Sequence, residues 1–83
     1  MNISEFNILP ILEKKKFIFG EKTVRLISFR HHEDQKSTLF DCGSFFAEIY
    51  FLSKEKKITK IQGIKLDDKT IDIYIDQMIK PKQ

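Results

Sequence analysis

SFFAEIYFL, residues 44–52, is the stretch that decides the fold, and SKEKK (53–57) and ITKIQGIKL (58–66) follow it. Successive side chains of an extended chain point to opposite faces. One face of this segment is wholly apolar and carries Phe45, Ala47, Ile49 and Phe51. The other face is mostly apolar and carries Phe46, Glu48, Tyr50 and Leu52. Two largely apolar faces predict a strand in the interior of a sheet.

The residues that follow predict the second half of an antiparallel hairpin. Ser53–Lys57 is polar and has the length of a four- or five-residue hairpin loop. Ile58–Leu66 supplies the return strand, but its apolar residues break strict alternation once. Gly63 is a natural position for a β-bulge that corrects the phase.

Upstream, Asn2–Lys16 is predicted to be helical in one or two pieces. Pro10 lacks an N–H and clashes inside a helix, so a break is expected near Leu9, or a new helical turn starting at Pro10. Ser4 is the predicted cap of the first piece.

A first hairpin is predicted between this helix and the central strand. Phe17–Phe19 and Thr23–Arg30 have strand-like composition, and the turn candidate Gly20-Glu21-Lys22 lies between them. His31–Thr38 is polar and predicts a loop.

The segment from residue 70 to 79 fits two patterns. Its isoleucines alternate with other residues as in a strand, whereas apolar positions counted from Ile71 also follow the i, i+3, i+4, i+7, i+8 spacing of a helix. We expect a helix, because Asp67 or Asp68 can cap its start, and Lys80 and Pro81 can end it.

Length and composition limit the architecture and the cellular setting. The chain has 83 residues, 41% of them hydrophobic, and a formal net charge of +3. It is predicted to be one α+β domain, 1–83, with an N-terminal helix, a four-stranded antiparallel β-meander and a C-terminal helix. A single cysteine, Cys42, excludes an internal disulfide and suits a reducing cytosol. Without an apolar run near the ~20 residues of a membrane span, we expect a cytoplasmic protein and no membrane association.

Few residues offer catalytic or metal-binding chemistry. His31-His32-Glu33-Asp34 holds ligand-type side chains, and His32 with Asp34 and Cys42 is one geometric option, but the spacing is not that of a zinc motif. An enzyme would need these histidines, Cys42 and Glu48 to converge on one pocket. We therefore predict no catalytic residues, no metal site, no cofactor and no enzymatic activity.

The most promising surface lies on the hairpin. Two short helices would shield one face of the sheet and leave the other partly open. Glu48 would lie there between two aromatic residues and pair with Lys60 or Arg25. The predicted interaction surface comprises Phe46, Glu48, Tyr50, Lys56, Lys57 and Lys60.

Two functions follow from this surface. An exposed aromatic sheet face indicates a module for protein binding or self-association, with an unknown protein partner or a homodimer. The alternative is a nucleic-acid-binding domain, because the second hairpin is rich in lysine and aromatic residues.

Gly43–Phe51, followed by Lys57–Ile61, resembles a pattern in small uncharacterised bacterial single-domain proteins. In these, an aromatic–aromatic–x–Glu strand precedes a lysine-rich turn and an isoleucine-rich return strand. The resemblance covers mainly Gly43–Met78. It implies strands followed by a terminal helix and carries no activity or site residue.

Overall fold

The computed structural model describes residues 1–79, with side chains for residues 1–76. It contains three helices and four strands, which are α1 (Ile3–Asn7), α2 (Ile11–Gly20), β1 (Arg25–His32), β2 (Gln35–Asp41), β3 (Phe46–Leu52), β4 (Lys57–Ile64) and α3 (Thr70–Ile79). The strands form one antiparallel sheet in the order β1-β2-β3-β4. The predicted α+β meander with helices at both ends is confirmed.

The N-terminal helices form where local capping permits. Asn2, rather than Ser4, caps α1, because its Oδ1 accepts from the Glu5 N–H at 2.8 Å while Glu5 Oε1 accepts from the Asn2 N–H at 2.9 Å. This reciprocal pair is a capping box. Pro10 is the N-cap of α2, so the predicted break at this proline is confirmed.

The predicted strand at residues 17–19 is wrong, because α2 continues through these residues. Continuing the helix buries Ile18 in the core. It also places the Phe17 ring 5.8 Å from that of Phe6, in an edge-to-face contact. Packing on the sheet therefore outweighs the strand propensity of this apolar triplet.

The first hairpin is β1–β2, and its turn lies at Glu33-Asp34 rather than at Gly20–Lys22. Glu33 takes a positive φ of 57° in this turn. The region predicted as a loop, His31–Thr38, instead contains the end of β1 and the start of β2. Strands β1 and β3 pair with β2 on its two sides and satisfy its backbone N–H and C=O groups. This segment is therefore a central strand although its sequence begins with polar residues.

The second hairpin forms as predicted, with Ile49 opposite Ile61 and Phe46 opposite Ile64. The phase correction lies elsewhere than expected. The register shifts where Tyr50 pairs with Lys60 and the next residue, Phe51, with Ile58. We predicted the bulge at Gly63, but it lies four residues earlier on β4.

Gly63 has a different role, because helix α1 crosses it closely. A Cβ built at Gly63 would lie 3.1 Å from Ile3 Cγ1 and 3.2 Å from a ring carbon of Phe6. The Gly63 N–H donates to Asn7 Oδ1 at 2.7 Å, and the Ile61 carbonyl accepts from Lys14 Nζ at 3.0 Å. The outer edge of β4 is thus occupied by side chains of α1 and α2.

The helices lie on opposite faces of the sheet. Helices α1 and α2 cover one face, where the buried core consists of Phe6, Ile18, Phe45, Ala47, Ile49 and Ile61. Helix α3 covers the other, where the buried core consists of Leu39, Ile64, Ile71 and Tyr74. The expectation that two helices shield one face and leave the other open is therefore wrong.

The start of α3 agrees with the sequence. Asp68 Oδ1 accepts from the Thr70 N–H at 2.8 Å, and this bond lowers the pKa of the Asp68 carboxyl. The predicted helix end at Lys80 and Pro81 lies outside the described residues. Among residues 1–79, no helix is long and apolar enough to cross a membrane.

Candidate functional site: an aromatic groove and a buried carboxylate

Helix α3 covers the centre of the predicted aromatic face. Glu48 is fully buried, and Phe46 and Tyr50 are half-buried. Tyr74 of α3 is also fully buried and lies against this face. Glu48 therefore has no surface to offer a partner, which corrects its place in the predicted interaction surface.

Glu48 accepts hydrogen bonds through both carboxylate oxygens. Its Oε2 accepts from the Tyr74 hydroxyl at 2.7 Å. Its Oε1 accepts from the Tyr50 hydroxyl and from Gln62 Nε2, both at 2.9 Å. The bond from Tyr74 joins α3 to the centre of the sheet, so this network fixes the helix to the sheet.

The predicted ion pairs of Glu48 do not form. The residue opposite Glu48 on β4 is Gln62, whereas Lys60 is opposite Tyr50 and its Nζ lies 5.7 Å from the ring centroid of Tyr50. Arg25, at the start of β1, lies opposite Asp41 in the strand register and not beside Glu48. Two tyrosine hydroxyls and one amide, from β3 itself, α3 and β4, occupy the place of the predicted cations.

Burial is the main cause of a raised pKa at both tyrosines. At Tyr50, burial, the hydrogen bond to Glu48 and the negative charge of Glu48 raise the pKa to about 12. The positive charge of Arg30 acts in the opposite direction and lowers it. The pKa of Tyr74 is raised by burial and by Glu48, while a hydrogen bond with Ser37 lowers it. Both hydroxyls therefore remain protonated donors to the carboxylate at neutral pH.

The candidate catalytic residues do not converge. His31 and His32 end β1 beside the first turn, while Cys42 follows the opposite end of β2. Seven residues of strand separate these ends by roughly 20 Å. Burial, and next the charge of Asp41, raise the pKa of the Cys42 thiol to about 11. Within the described part of the chain, no three His, Cys, Asp or Glu side chains are grouped to hold a metal ion.

The lysine-rich hairpin is exposed, as its composition indicates. Lys54, Lys56 and Lys57 lie on the surface at the connection between β3 and β4. Lys57 Nζ lies 3.1 Å from Glu55 Oε1, in an exposed ion pair. Such a pair contributes little to stability, so these cations stay available to solvent.

An open pocket lies on the other face, beside the C-terminal end of α2. We call it the aromatic groove, and its volume is about 310 Å³. It is lined by Phe19, Lys36, Thr38, Phe40, Ile49, Phe51 and Ile58. Phe19 is 64% exposed, and its ring meets that of Phe40 edge-on at 5.9 Å. A large aromatic side chain therefore stands exposed at the border of an apolar pocket.

Strand register explains how the groove forms. Thr38 is opposite Ile49, and Lys36 is opposite Phe51, so these four side chains share one face of the sheet. Helix α2 ends at Gly20, directly after Phe19. The sheet residues that line the groove therefore extend beyond the part of the face that the helices cover.

The apolar surface extends from the groove onto the edge strand. Leu26 is opposite Phe40 and Phe29 is opposite Thr38, and both β1 side chains are more than half exposed. Lys36 is the single charged residue of the groove lining, and its Nζ lies 4.8 Å from the ring centroid of Phe29. Among the described residues, no carboxylate forms an ion pair with it.

Sequence reasoning missed the groove because it depends on β2. The residues Lys36, Thr38 and Phe40 alternate as strand residues do, but the preceding polar run favoured a loop. The sequence pattern also predicts Phe19 in a strand, whereas it lies at the end of helix α2. The alternation from residue 35 to residue 41 was the signal that could have located this face.

The chain matches no protein-family model, no curated protein and no solved structure. The resemblance based on Gly43–Phe51 remains a prediction. The aromatic groove and the charges around it are therefore the features that bear on function.

Proposed function

We propose that this chain is a non-enzymatic protein-interaction module and that it binds its partner through the aromatic groove. The exposure of Phe19 beside an apolar pocket of about 310 Å³ is the observation that carries the proposal. Exposed apolar patches on small domains commonly mark interaction sites. Aromatic side chains at the rim of a pocket are frequent anchors of protein interfaces.

The composition of the groove suits a partner side chain better than chemistry on a substrate. Its lining contains aromatic and aliphatic residues, one hydroxyl and one ammonium group. In this proposal the charge of Lys36 orients the partner, while the aromatic rings supply apolar contact. His31, Cys42 and Glu48 do not line it.

The test is a comparison of two serine variants on the same helix. Phe19→Ser removes an aromatic side chain at the groove, whereas Leu12→Ser removes a similarly exposed apolar side chain, 58% exposed, that does not line it. The full-length chain and both variants are immobilised, and captured proteins from the source cell are quantified by mass spectrometry.

We expect Phe19→Ser to reduce capture of a specific partner about tenfold, because it removes most of the buried area of one anchor residue. Leu12→Ser should capture as much as the unmodified chain. Equal capture by all three proteins would contradict a role for the groove. Circular dichroism of each variant checks that the fold is intact.

Nucleic-acid binding is a second candidate, and the exposed Lys54, Lys56 and Lys57 favour it. It predicts an affinity for single-stranded DNA or RNA that falls steeply with salt and is weakened by Lys56→Glu. Fluorescence anisotropy with labelled oligonucleotides measures both effects. The absence of binding at low salt would refute this candidate.

A further inference from the structure

We propose that the partner of the aromatic groove is a second copy of this chain, which inserts the outer face of its α3. The inference rests on the proposed function, because it names the occupant of the same groove. The outer face carries Asp72, Ile73 and Asp76, and Ile75 beside them is exposed as well. Ile71 and Tyr74 of the same helix face the sheet and are buried.

The two surfaces are complementary in charge. Helix α3, Thr70–Ile79, contains two aspartates and no basic residue. The groove has one charged side chain in its lining, the ammonium group of Lys36, which no described carboxylate pairs with. An aspartate of an incoming α3 would supply that missing partner.

The apolar parts are complementary as well. Ile73 is 42% exposed on the outer face of α3, beside the two aspartates. Its side chain is small enough to enter a pocket of about 310 Å³ lined by Phe19, Phe40 and Phe51. An amphipathic helix that places an apolar anchor in a groove is a recurrent mode of protein recognition.

The topology determines the kind of assembly. The groove lies on the face that α1 and α2 cover, and α3 lies on the opposite face of the sheet. A molecule cannot place its own α3 in its own groove, and each copy keeps one free surface after forming a contact. The contact is therefore head-to-tail and continues beyond a dimer. A helix of about 15 Å length makes a small interface, so the association is weak and needs high protein concentration.

The experiment is sedimentation velocity of the full-length chain from micromolar to millimolar concentration. We expect the weight-average sedimentation coefficient to rise with concentration beyond that of a dimer. Lys36→Glu and Ile73→Ser should each weaken the association about tenfold, the first by replacing attraction with repulsion and the second by removing the apolar anchor. Ile8→Ser, which changes an exposed isoleucine outside both surfaces, should leave it unchanged.

The decisive experiment reverses the charge of the groove in one variant and the charge of α3 in another. The Lys36→Glu chain and an Asp72→Lys/Asp76→Lys chain should each associate at least tenfold more weakly alone than the unmodified chain, because like charges then meet at every contact. An equimolar mixture should assemble as the unmodified protein does, since each groove again meets an α3 of opposite charge. A mixture that associates no more strongly than either variant alone would overturn the inference.

The results separate this inference from the proposed function. If the unmodified chain is monomeric at every concentration but Phe19→Ser still loses a captured partner, the groove binds a different protein and the second-copy inference is wrong. If the unmodified chain is monomeric and Phe19→Ser behaves like Leu12→Ser, both proposals are wrong. The inference would also be overturned if Ile8→Ser weakened the association as strongly as Ile73→Ser. In that case the contact would not involve α3 specifically.

Discussion

Substituting Tyr74 by phenylalanine tests whether the buried carboxylate holds α3 on the sheet. The change removes one hydroxyl from a fully buried side chain, and with it the 2.7 Å hydrogen bond to Glu48 Oε2. Glu48 is itself 0% exposed, so water cannot readily replace the lost donor. A hydrogen bond to a buried charged group contributes about 1.5–3 kcal/mol. We therefore expect Tyr74→Phe to reduce the free energy of unfolding by about 2 kcal/mol.

That loss is large for a chain of this size. A domain of about 80 residues is stable by roughly 4–12 kcal/mol, so the variant should lose a substantial fraction of its stability. The melting temperature should fall by roughly 10–15 °C. Urea unfolding followed by circular dichroism measures the free energy, with a separate thermal scan of each protein.

Tyr50→Phe is the matched control, since it also deletes one hydroxyl that donates to Glu48. Tyr50 is only half-buried, and the oxygen that it contacts, Oε1, also accepts from Gln62. Loss of the Tyr50 hydroxyl should therefore reduce the free energy of unfolding by about 1 kcal/mol or less. Equal losses in the two variants, or a loss below about 0.5 kcal/mol for Tyr74→Phe, would refute the argument that this bond anchors the helix.

Two further predictions concern the tyrosine pair and the glycine beneath α1. Tyr50 and Tyr74 are the only tyrosines, and both have a raised pKa in the folded chain. The contribution of Tyr50 to stability is complete below the unfolded pKa of about 10 and is lost as the pH rises through about 12. That of Tyr74, whose folded pKa is also raised, is complete below the same unfolded pKa and is lost at higher pH. Ultraviolet titration measures the pKa of the two phenols, and urea unfolding at each pH measures the free energy of unfolding. A phenol titration midpoint near 10 in the folded chain would contradict the prediction. Gly63→Ala should reduce stability by about 1–3 kcal/mol in urea unfolding, because the new Cβ would lie 3.1 Å from Ile3 Cγ1. Gly20→Ala is its control, since nothing lies within 4 Å of a Cβ at Gly20, and a comparable loss there would show that crowding is not the cause.

Local patterns were sufficient for much of the fold. The alternation in Ser44–Leu52 predicted β3, and Pro10 predicted the break between the N-terminal helices. The pair Asp67 and Asp68 predicted the start of α3, where Asp68 accepts from the Thr70 N–H. In each case the cause acts within a few residues, through side-chain periodicity, a missing backbone donor or a cap. Such causes can be recognised before any tertiary contact is known.

The assignment of β2 and of residues 17–19 required the tertiary structure. Gln35–Asp41 is polar at its start and becomes a strand because β1 and β3 bond to it on both sides. Residues 17–19 have strand-like composition but stay helical, since that conformation buries Ile18 against the sheet. Long-range backbone pairing and core packing outweigh local propensity at these positions.

The sequence by itself determined that this protein has a central hairpin with two apolar faces and a lone acidic residue between aromatic neighbours. Only the tertiary structure decided which face α3 covers, and therefore that Glu48 is a buried acceptor whereas Phe19 lies exposed beside a groove. The physical reason is that alternation specifies which side chains share a face but not which helix crosses over it. That choice depends on contacts between residues far apart in the chain, such as Tyr74 with Glu48 and Asn7 with Gly63.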